Sequence, residues 1–368
     1  MKIAFIGQKG IPSKFGGVEK HVEDLSRRLA AAGHEVFVYT RPNYTEAKLT
    51  EWQGVKLISL PSVGTKHLDA ISHTFRACLD VAKRNVDIIH FHSIGPASLI
   101  WLMKLLKSRI PVVATFHTQC YMHQKWGSIA RWYLKFGEWI CCNFADRTIA
   151  VSRTLAKYAT DKYRKPIIYI PNGVEIRQIT GAENIKTWGL EPDNYLVAVS
   201  RLVRHKGLQY LIKAFKEIKT DKKLVIVGDG AFTDKYVAEL KELANSDARI
   251  IFTGNQSGSA LNELFANAYL FVQPSESEGL SIALLEAMSY GRGVLVSDIP
   301  ENLEAVGDTG FTFNNKNVIN LREKLVELLQ RPERVAENGR LNVERVRTHY
   351  NWDNIVAEIQ KVYDKLKK

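Results

Sequence analysis

This chain of 368 residues lacks long apolar runs, has few cysteines and shows no secretion signal. No stretch reaches the roughly 18 consecutive apolar residues of a membrane-spanning helix, so we expect no such helix. The N-terminal segment MKIAFIG is apolar, but no cleavage site follows it. It therefore predicts a first β-strand and not a signal peptide. The four cysteines include no CxxC pair, which argues against a zinc site or a disulfide framework and favours the reducing cytosol.

Positive charge is concentrated in the first half of the chain. The net charge is +12, but residues 1–171 hold 25 Lys+Arg against 12 Asp+Glu, whereas residues 172–368 hold 26 against 27. The first half therefore has either a basic soluble surface or an anionic partner such as anionic lipid, a phosphorylated acceptor or nucleic acid. No RRM, KH or zinc-finger pattern is present, so we predict no nucleic-acid partner.

Short apolar runs alternate with helical patterns throughout the chain, as in α/β proteins with parallel sheets. Nearly continuous apolar runs are typical of strands buried on both faces. They predict strands at 2–7, 35–40, 55–60, 87–92, 112–117, 147–152, 195–200, 223–230, 249–254, 270–275 and 293–298. Residues 18–32 predict an amphipathic helix that Gly33 ends. The alternation predicts two doubly wound domains.

A domain boundary is predicted at Ile170-Pro171-Asn172-Gly173, where an apolar run meets strong turn signals. The first domain would comprise residues 1–170 and the second residues 171–349. A last helix at about 350–368 has an apolar face that must be covered, and we expect it to pack back on the first domain.

The segment PSESEGLSIALLEAM predicts a ligand site at the end of a strand in the second domain. A turn at Glu278-Gly279 leads into a helix that begins at about Ser281. A glycine lets the backbone approach a ligand closely, and the first amide N–H groups of a helix bind anions, usually phosphate. Glu278 and Glu286 can accept hydrogen bonds from sugar hydroxyls. We therefore expect a ligand that carries both phosphate and sugar.

Two cations, Arg201 and Lys206, follow the predicted strand 195–200 beside a glycine. Such a position at the carboxyl end of a parallel strand suits a diphosphate. Taken alone, these charges are more often solvated surface. The segment around Glu278, on a later strand end of the same domain, favours the binding site.

In the first domain, the loop after the first strand contains glycines whose spacing does not fit the GxGxxG fingerprint, which disfavours a dehydrogenase. Gly16 and Gly17 precede a helix and can still present N–H groups to a phosphate. His117 ends the predicted strand 112–117 and can hydrogen-bond a sugar or a leaving oxygen. A lone histidine is more often structural, and we assign no function to four others, although His92 also lies at a strand end: His90, His92, His123 and His205.

The order of these motifs resembles glycosyltransferase family 4, which comprises retaining enzymes of the GT-B fold. The resemblance rests on GGVE, His117, ADRTIAVS (145–152), PNGV (171–174), SRLVRHKG (200–207) and EGLSIALLE (278–286). It covers nearly the whole chain, and the first half is most similar to the rhamnosyltransferase-like subgroup of cell-surface polysaccharide enzymes. The resemblance implies two Rossmann-like domains that face a central cleft, the first for the acceptor and the second for the nucleotide sugar.

The resemblance also implies a role for each motif residue. Arg201 and Lys206 would hold the donor's diphosphate, Gly17 after Gly16 would close on it, and His117 would contact the donor sugar near the reacting carbon. Glu286 would bind the ribose and Glu278 the donor sugar. The backbone of Gly279, Leu280 and Ser281 would line the sugar and phosphate site. The backbone around Phe252 to Gly254 would meet the base.

The implied reaction transfers a hexose from a UDP, GDP or dTDP sugar, with UDP favoured, to an acceptor hydroxyl with retained anomeric configuration. Arg201, Lys206 and a helix N-terminus would stabilise the leaving diphosphate. No Asp-x-Asp ends a predicted strand, so we expect no metal and no other cofactor. The sequence reads EGLS where EGFG is common and has Gly293 where proline is frequent, which leaves the donor sugar open. Gln119, near His117, leaves the acceptor open.

The segment 124–144 combines aromatic and basic residues, including Trp126, Trp132, Trp139 and Lys125. It predicts either a helix packed on the sheet or a helix that lies on an anionic membrane surface. The second interpretation implies a cytoplasmic protein that is peripheral at the inner face of the cell membrane. Its acceptor would be a glycan or a polyprenyl-linked glycan precursor.

Two other functions use the same architecture. A sugar-nucleotide 2-epimerase would turn over the donor without an acceptor. A non-catalytic sugar-nucleotide-binding protein would need neither His117 nor the full set of Arg201, Lys206, Glu278 and Glu286, and their joint presence argues against it.

Overall fold

The computed structural model describes residues 1–65, 68–122, 126–177, 181–230, 233–245 and 247–367. The chain divides into two compact units. The first unit comprises residues 1–172 together with 352–368, and the second comprises residues 173–351.

Strands and helices alternate along the described residues. The strands are β1 (Lys2–Ile6), β2 (Glu35–Thr40), β3 (Glu51–Trp52), β4 (Val55–Ser59), β5 (Ile88–His92), β6 (Val112–Phe116), β7 (Arg147–Ala150), β8 (Ile167–Tyr169), β9 (Tyr195–Val199), β10 (Lys223–Val227), β11 (Ile250–Gly254), β12 (Leu270–Gln273), β13 (Gly293–Ser297) and β14 (Phe311–Phe313). The helices are α1 (Gly17–Ala31), α2 (Asp69–Val81), α3 (Ile94–Ala97), α4 (Ile100–Leu106), α5 (Ser128–Phe144), α6 (Arg153–Tyr163), α7 (Leu208–Lys216), α8 (Asp234–Ala244), α9 (Gly258–Ala266), α10 (Ile282–Ser289), α11 (Pro300–Val306), α12 (Val318–Leu329), α13 (Pro332–His349) and α14 (Trp352–Leu366).

The sheet of the first unit has the order β3-β4-β2-β1-β5-β6-β7-β8. All neighbours are parallel except β3 and β4. The central strands β1, β5 and β6 are almost wholly buried, which explains their continuous apolar sequences. The predicted strands of this half are confirmed, whereas the two-residue β3 was not predicted.

Helices α1 and α14 cover one face of this sheet. Val22, Leu25 and Leu29 are fully buried on α1, which confirms the amphipathic helix predicted at 18–32. On α14, an apolar face that includes Ile359 and Tyr363 joins the same core. The last helix therefore completes the first unit, although the second unit precedes it in the chain.

The sheet of the second unit is entirely parallel and has the order β11-β10-β9-β12-β13-β14. Chain connections lead outwards in opposite directions from the central pair β9 and β12. Ligands of doubly wound folds bind at such a switch point, outside the carboxyl ends of the two strands. Both units are doubly wound parallel-sheet domains, so this fold class is confirmed.

Among the described residues, no helix combines the length and apolar character needed to cross a membrane.

Candidate functional site

The switch point of the second unit carries four of the residues predicted from sequence. Arg201 and Lys206 lie in the loop after β9, and Glu278 and Ser281 lie between β12 and α10. Because β9 and β12 are neighbours in the sheet, the two loops leave from adjacent strand ends. The structure thus brings together residues that are more than 70 positions apart in sequence.

A glycine holds these two loops in contact. Gly207 has a φ of +71°, and a Cβ atom there would lie 1.8 Å from the carbonyl oxygen of Pro274. Next to it, the backbone N–H of Glu276 donates to the carbonyl of His205 at 2.7 Å. The loop that carries Lys206 therefore lies directly against the loop that leads to Glu278.

Lys206 and Glu278 form an ion pair within this contact. The Nζ of Lys206 donates to Oε1 of Glu278 at 2.6 Å, and the Oγ of Ser275 donates to the same oxygen at 2.7 Å. Only 16% of the Lys206 side chain and 8% of the Glu278 side chain are exposed. The pairing of Lys206 with Glu278 was not predicted from sequence. Among the described residues, the guanidinium of Arg201 has no ion-pair partner, so it is the uncompensated cation of the group.

Helix α10 begins at this group, as predicted. Ser281 is its N-cap: Oγ accepts from the Leu284 N–H at 3.4 Å and donates to Oε1 of Gln273 at 2.6 Å. Gln273 ends β12 and donates in turn to Asn302 at 2.7 Å. These buried amides fix the start of α10 relative to the strand end, so that the first N–H groups of the helix and the preceding Gly279 and Leu280 lie at the switch point.

Glu286 lies one turn further along α10, near a cation that sequence reasoning missed. Arg177 donates to Asn262 at 2.5 Å and to the hydroxyl of Tyr290 at 3.3 Å. Burial lowers the pKa of Arg177, but Tyr290 and the charge of Glu286 outweigh it and raise the pKa above its usual value. The only signal in the sequence was the position of Arg177 shortly after the PNGV turn.

Gly254 ends β11 on the same edge of the sheet. Its φ is +70°, no atom lies within 4 Å of a Cβ built there, and its carbonyl accepts from Gly228 at 2.8 Å. Open backbone at this position fits the predicted contact with a base.

The two glycines predicted to bind phosphate lie in the first unit. Gly16 has a φ of 104° and precedes α1, which begins at Gly17. The loop before them is held by carboxylates of α1: Glu19 accepts from the Lys9 N–H at 3.1 Å, and Glu23 accepts from the Ser13 N–H at 2.5 Å. The loop is thus fixed by the helix that it precedes.

His117 follows β6 directly and belongs to a buried group of histidines. Its Nε2 is 3.1 Å from Nδ1 of His92, at the end of β5, and its ring centre is 5.1 Å from that of His21 on α1. His90 is hydrogen-bonded to Thr115 and Tyr363, which fits the structural role expected for it. The contact of His92 with His117 was not predicted, and His123 lies outside the described residues.

Burial keeps these imidazoles neutral. It lowers the pKa of His21 to about 4, against the nearby charge of Asp24, and lowers the pKa of His92 and of His117 well below the usual value. Another buried histidine of this unit, His73, also has its pKa lowered to about 4, chiefly by burial.

These histidines make stability depend on pH. Between pH 6.5 and about 4 the unfolded chain binds protons that the folded His21 and His73 do not. The free energy that each neutral, buried histidine contributes to unfolding stability is therefore fully present above pH 6.5. It is lost as the pH falls towards 4, by about 1.4 kcal/mol per pH unit for each group. Urea unfolding of the wild type and of His73→Gln at several pH values measures this slope. We expect a shallower slope in the variant; equal slopes would contradict the assignment.

Comparison with known proteins adds independent information. The family model "Glycosyltransferase Family 4" matches residues 15–178, and the model "Glycosyl transferases group 1" matches residues 182–342. An uncharacterized glycosyltransferase of Methanocaldococcus jannaschii is 26% identical over 360 residues, which are 95% of each chain. Alpha-monoglucosyldiacylglycerol synthase of Streptococcus pneumoniae is 28% identical over 319 residues, 80% of this chain and 71% of that protein.

Solved structures share the fold. Sucrose-phosphate synthase from Thermosynechococcus elongatus superposes with a TM-score of 0.84 at 22% identity, over 99% of this chain and 98% of that one. HepE from Anabaena, in complex with UDP-glucose, gives a TM-score of 0.82 at 19% identity, over 99% and 100% of the two chains.

Proposed function

Because this chain belongs to glycosyltransferase family 4 and has the GT-B fold, we propose that it transfers a hexose from a nucleoside diphosphate sugar to an acceptor hydroxyl with retention of anomeric configuration. Family membership makes it a glycosyltransferase that uses a sugar-nucleotide donor. The observation that carries the finer proposal is the group of Arg201, Lys206, Glu278 and the α10 N-terminus at the switch point of the second unit. In this proposal residues 171–349 bind the donor and residues 1–170 bind the acceptor.

The donor diphosphate would be held by positive charge from three sources: Arg201, Lys206 and the first N–H groups of α10. An ammonium group has three N–H donors, so Lys206 can keep its bond to Glu278 and still donate to a phosphate oxygen. Glu278 would at the same time accept from a sugar hydroxyl. Glu286 would bind the ribose, and Gly254 would lie beside the base. Because the chain supplies this charge itself, we propose that no metal and no other cofactor is required.

As the bond from the anomeric carbon to the leaving phosphate breaks, negative charge develops on the diphosphate. Preorganised cations and helix N–H groups stabilise that charge more than they stabilise the intact donor, which lowers the barrier. Among the described residues, no side chain is a clear nucleophile at the position of His117, so we propose that the acceptor hydroxyl attacks from the face that the phosphate leaves. The leaving phosphate would accept the hydroxyl proton, and His117 would contact the sugar.

Donor binding can be measured as thermal stabilisation. A ligand that binds only the folded state raises the free energy of unfolding by about 2.7 kcal/mol when its free concentration is 100 times its Kd. We expect one of UDP, GDP and dTDP to raise the Tm in EDTA. UDP is favoured because the HepE structure with the same fold holds UDP-glucose. Arg201→Ala should abolish the shift. Stabilisation that appears only with Mg²⁺ would contradict metal independence, and donor turnover without an acceptor would indicate the epimerase.

The acceptor is proposed to be a glycan or a polyprenyl-linked glycan precursor at the membrane, and the surface of α5 supports this. One face of the helix, with Leu134, Ile140 and Cys141, is buried in the first unit. The helix also exposes an apolar stripe, here defined as Ile129, Trp132, Phe136 and Trp139. The Trp132 and Phe136 rings stack 6.1 Å apart. The buried face agrees with the interpretation of a helix packed on the sheet, whereas the exposed face supports the membrane interpretation as a proposal; Gln124 and Lys125 lie outside the described residues.

Charge favours an anionic bilayer as the occupant of this surface. Arg131 and Lys135 are exposed beside the stripe, and Leu105 of α4 is 75% exposed. Residues 1–171 carry 25 Lys+Arg against 12 Asp+Glu, so a second copy of the chain would be repelled, whereas anionic lipid would be attracted. We therefore propose a cytoplasmic protein that is peripheral at the inner face of the cell membrane.

Vesicle flotation tests this surface. The protein should float with phosphatidylglycerol vesicles, remain behind with phosphatidylcholine vesicles and be released by 1 M salt, at which the Debye length is about 3 Å. Trp132→Ser with Trp139→Ser should abolish flotation. Leu341→Ser, at an exposed apolar residue of the second unit, is the matched control and should float normally. A stable dimer that the tryptophan variants dissociate would instead assign the stripe to self-association.

A further inference from the structure

Three buried histidines of the first unit converge on one point. His21 of α1, His92 at the end of β5 and His117 after β6 each offer a ring nitrogen within 4.8 Å of the others. We call these three residues the histidine triad. Their exposed fractions are 2%, 0% and 6%, so the small opening of the group lies at His117.

The triad is in the chemical form that binds metals. Burial lowers the pKa of all three imidazoles, so each is neutral at physiological pH. A neutral imidazole carries one lone pair for a metal and one N–H for another partner. No proton has to be released from the protein before a metal binds to these rings.

Packing of the three rings does not explain why histidines, and not phenylalanines, occupy these positions. Although Asn172 approaches the His21 ring, neither ring nitrogen of His21 has a partner at hydrogen-bonding geometry among the described residues. A buried polar atom without a partner costs about 1–3 kcal/mol, and a phenyl ring would fill the same space without that cost.

The spacing of the His92 and His117 nitrogens suits a transition metal, whereas His21 would have to approach them more closely. In a tetrahedral zinc site with Zn–N bonds of about 2.0–2.1 Å, the nitrogens are about 3.3–3.4 Å apart. Nδ1 of His92 and Nε2 of His117 are 3.1 Å apart. Metal binding would place the ring protons on Nε2 of His92 and Nδ1 of His117, with no net change in their number.

We propose that the histidine triad is a binding site for Zn²⁺ or a chemically similar ion such as Co²⁺ or Ni²⁺, and that occupation of this site inhibits sugar transfer. Three imidazoles suit these ions, whereas Mg²⁺ prefers oxygen ligands. The inhibitory part rests on the proposed function, because it requires His117 to contact the donor sugar. A metal would occupy Nε2 of His117, so that this nitrogen could no longer contact the sugar.

Co²⁺ titration tests the site without relying on activity. Untagged protein, freed of metal with EDTA, should bind one Co²⁺ per chain with the visible absorption of a four-coordinate ion, and Zn²⁺ should displace it. His21→Phe keeps an aromatic ring against His117 and Trp352 but removes one ligand. It should weaken binding by more than about 100-fold, the upper end of what loss of an outer-shell partner costs. His34→Gln, at a partly exposed histidine of the same unit, is the control for adventitious binding and should bind like the wild type.

The outcomes separate the site from the enzyme's function. Absence of a saturable Co²⁺ spectrum, or equal affinity in the wild type and His21→Phe, overturns the metal site whatever the activity. If Co²⁺ binds but Zn²⁺ leaves sugar transfer unchanged, the inhibitory role is wrong. Whatever the rate of His21→Phe without metal, Zn²⁺ should not lower it further. If this variant does not fold, as judged by circular dichroism, His92→Gln takes its place in the titration.

Discussion

Replacing Lys206 by alanine should lower kcat/KM for sugar transfer by about 10²–10³-fold, as loss of one charge-stabilising donor does in other enzymes. The variant loses a cation proposed to bind the leaving diphosphate. It also leaves Glu278, 8% exposed, without its ion-pair partner, so a buried negative charge would face the phosphates. Steady-state kinetics with saturating acceptor measure the loss.

Two further variants identify the cause of the loss in kcat/KM that we expect for Lys206→Ala. Lys213→Ala removes an exposed lysine from α7 of the same unit and should change kcat/KM by no more than about twofold, as surface substitutions usually do. The double variant Lys206→Ala with Glu278→Gln has no uncompensated carboxylate. If it regained wild-type activity, Lys206 would act only by neutralising Glu278, and the proposed contact with diphosphate would be wrong.

The architecture could be predicted from sequence because parallel strands buried on both faces are continuous apolar runs. Thus KIAFI and YLVAV were recognisable without any partner strand in view, and they form β1 and β9. The edge strand β3 has only two residues, Glu51 and Trp52, and the edge strand β14 only three. Segments this short contain no periodicity, so their pairing depends on the neighbouring strand.

Candidate binding residues could be proposed from sequence because ligands of this fold bind at the carboxyl ends of parallel strands. Their contacts could not be identified. Strands β10 and β11 lie between β9 and β12 in sequence but not in the sheet. The pairing of Lys206 with Glu278 therefore follows from sheet order and from the close approach at Gly207.

Two other features depended on information that the sequence does not contain. Helical periodicity places Trp132, Phe136 and Trp139 on one face of α5 but does not say which face meets the core, and the structure exposes this one. Likewise, His21, His92 and His117 are distant in sequence and meet only because β5 and β6 are neighbours beneath α1.

Gly207→Ala should both destabilise the second unit and abolish donor binding. Alanine at a φ of +71° costs roughly 1–2 kcal/mol. The added Cβ would also lie 1.8 Å from the carbonyl oxygen of Pro274, and relieving such overpacking costs roughly 1–3 kcal/mol more. We expect a loss of about 2–5 kcal/mol in the free energy of unfolding. Urea denaturation measures this loss, and calorimetric titration with the stabilising nucleoside diphosphate measures binding.

Gly258→Ala provides the matched control, because it separates backbone strain from the loop contact. Gly258 lies in the same unit with a φ of +59°, but no atom lies within 4 Å of a Cβ built there. This variant should lose only about 1–2 kcal/mol and bind the diphosphate normally. The chain can relieve the clash at Gly207 only by separating the loop of Lys206 from the loop of Pro274. If Gly207→Ala bound the diphosphate as tightly as Gly258→Ala does, the contact between these loops would not be what positions Lys206 for the donor.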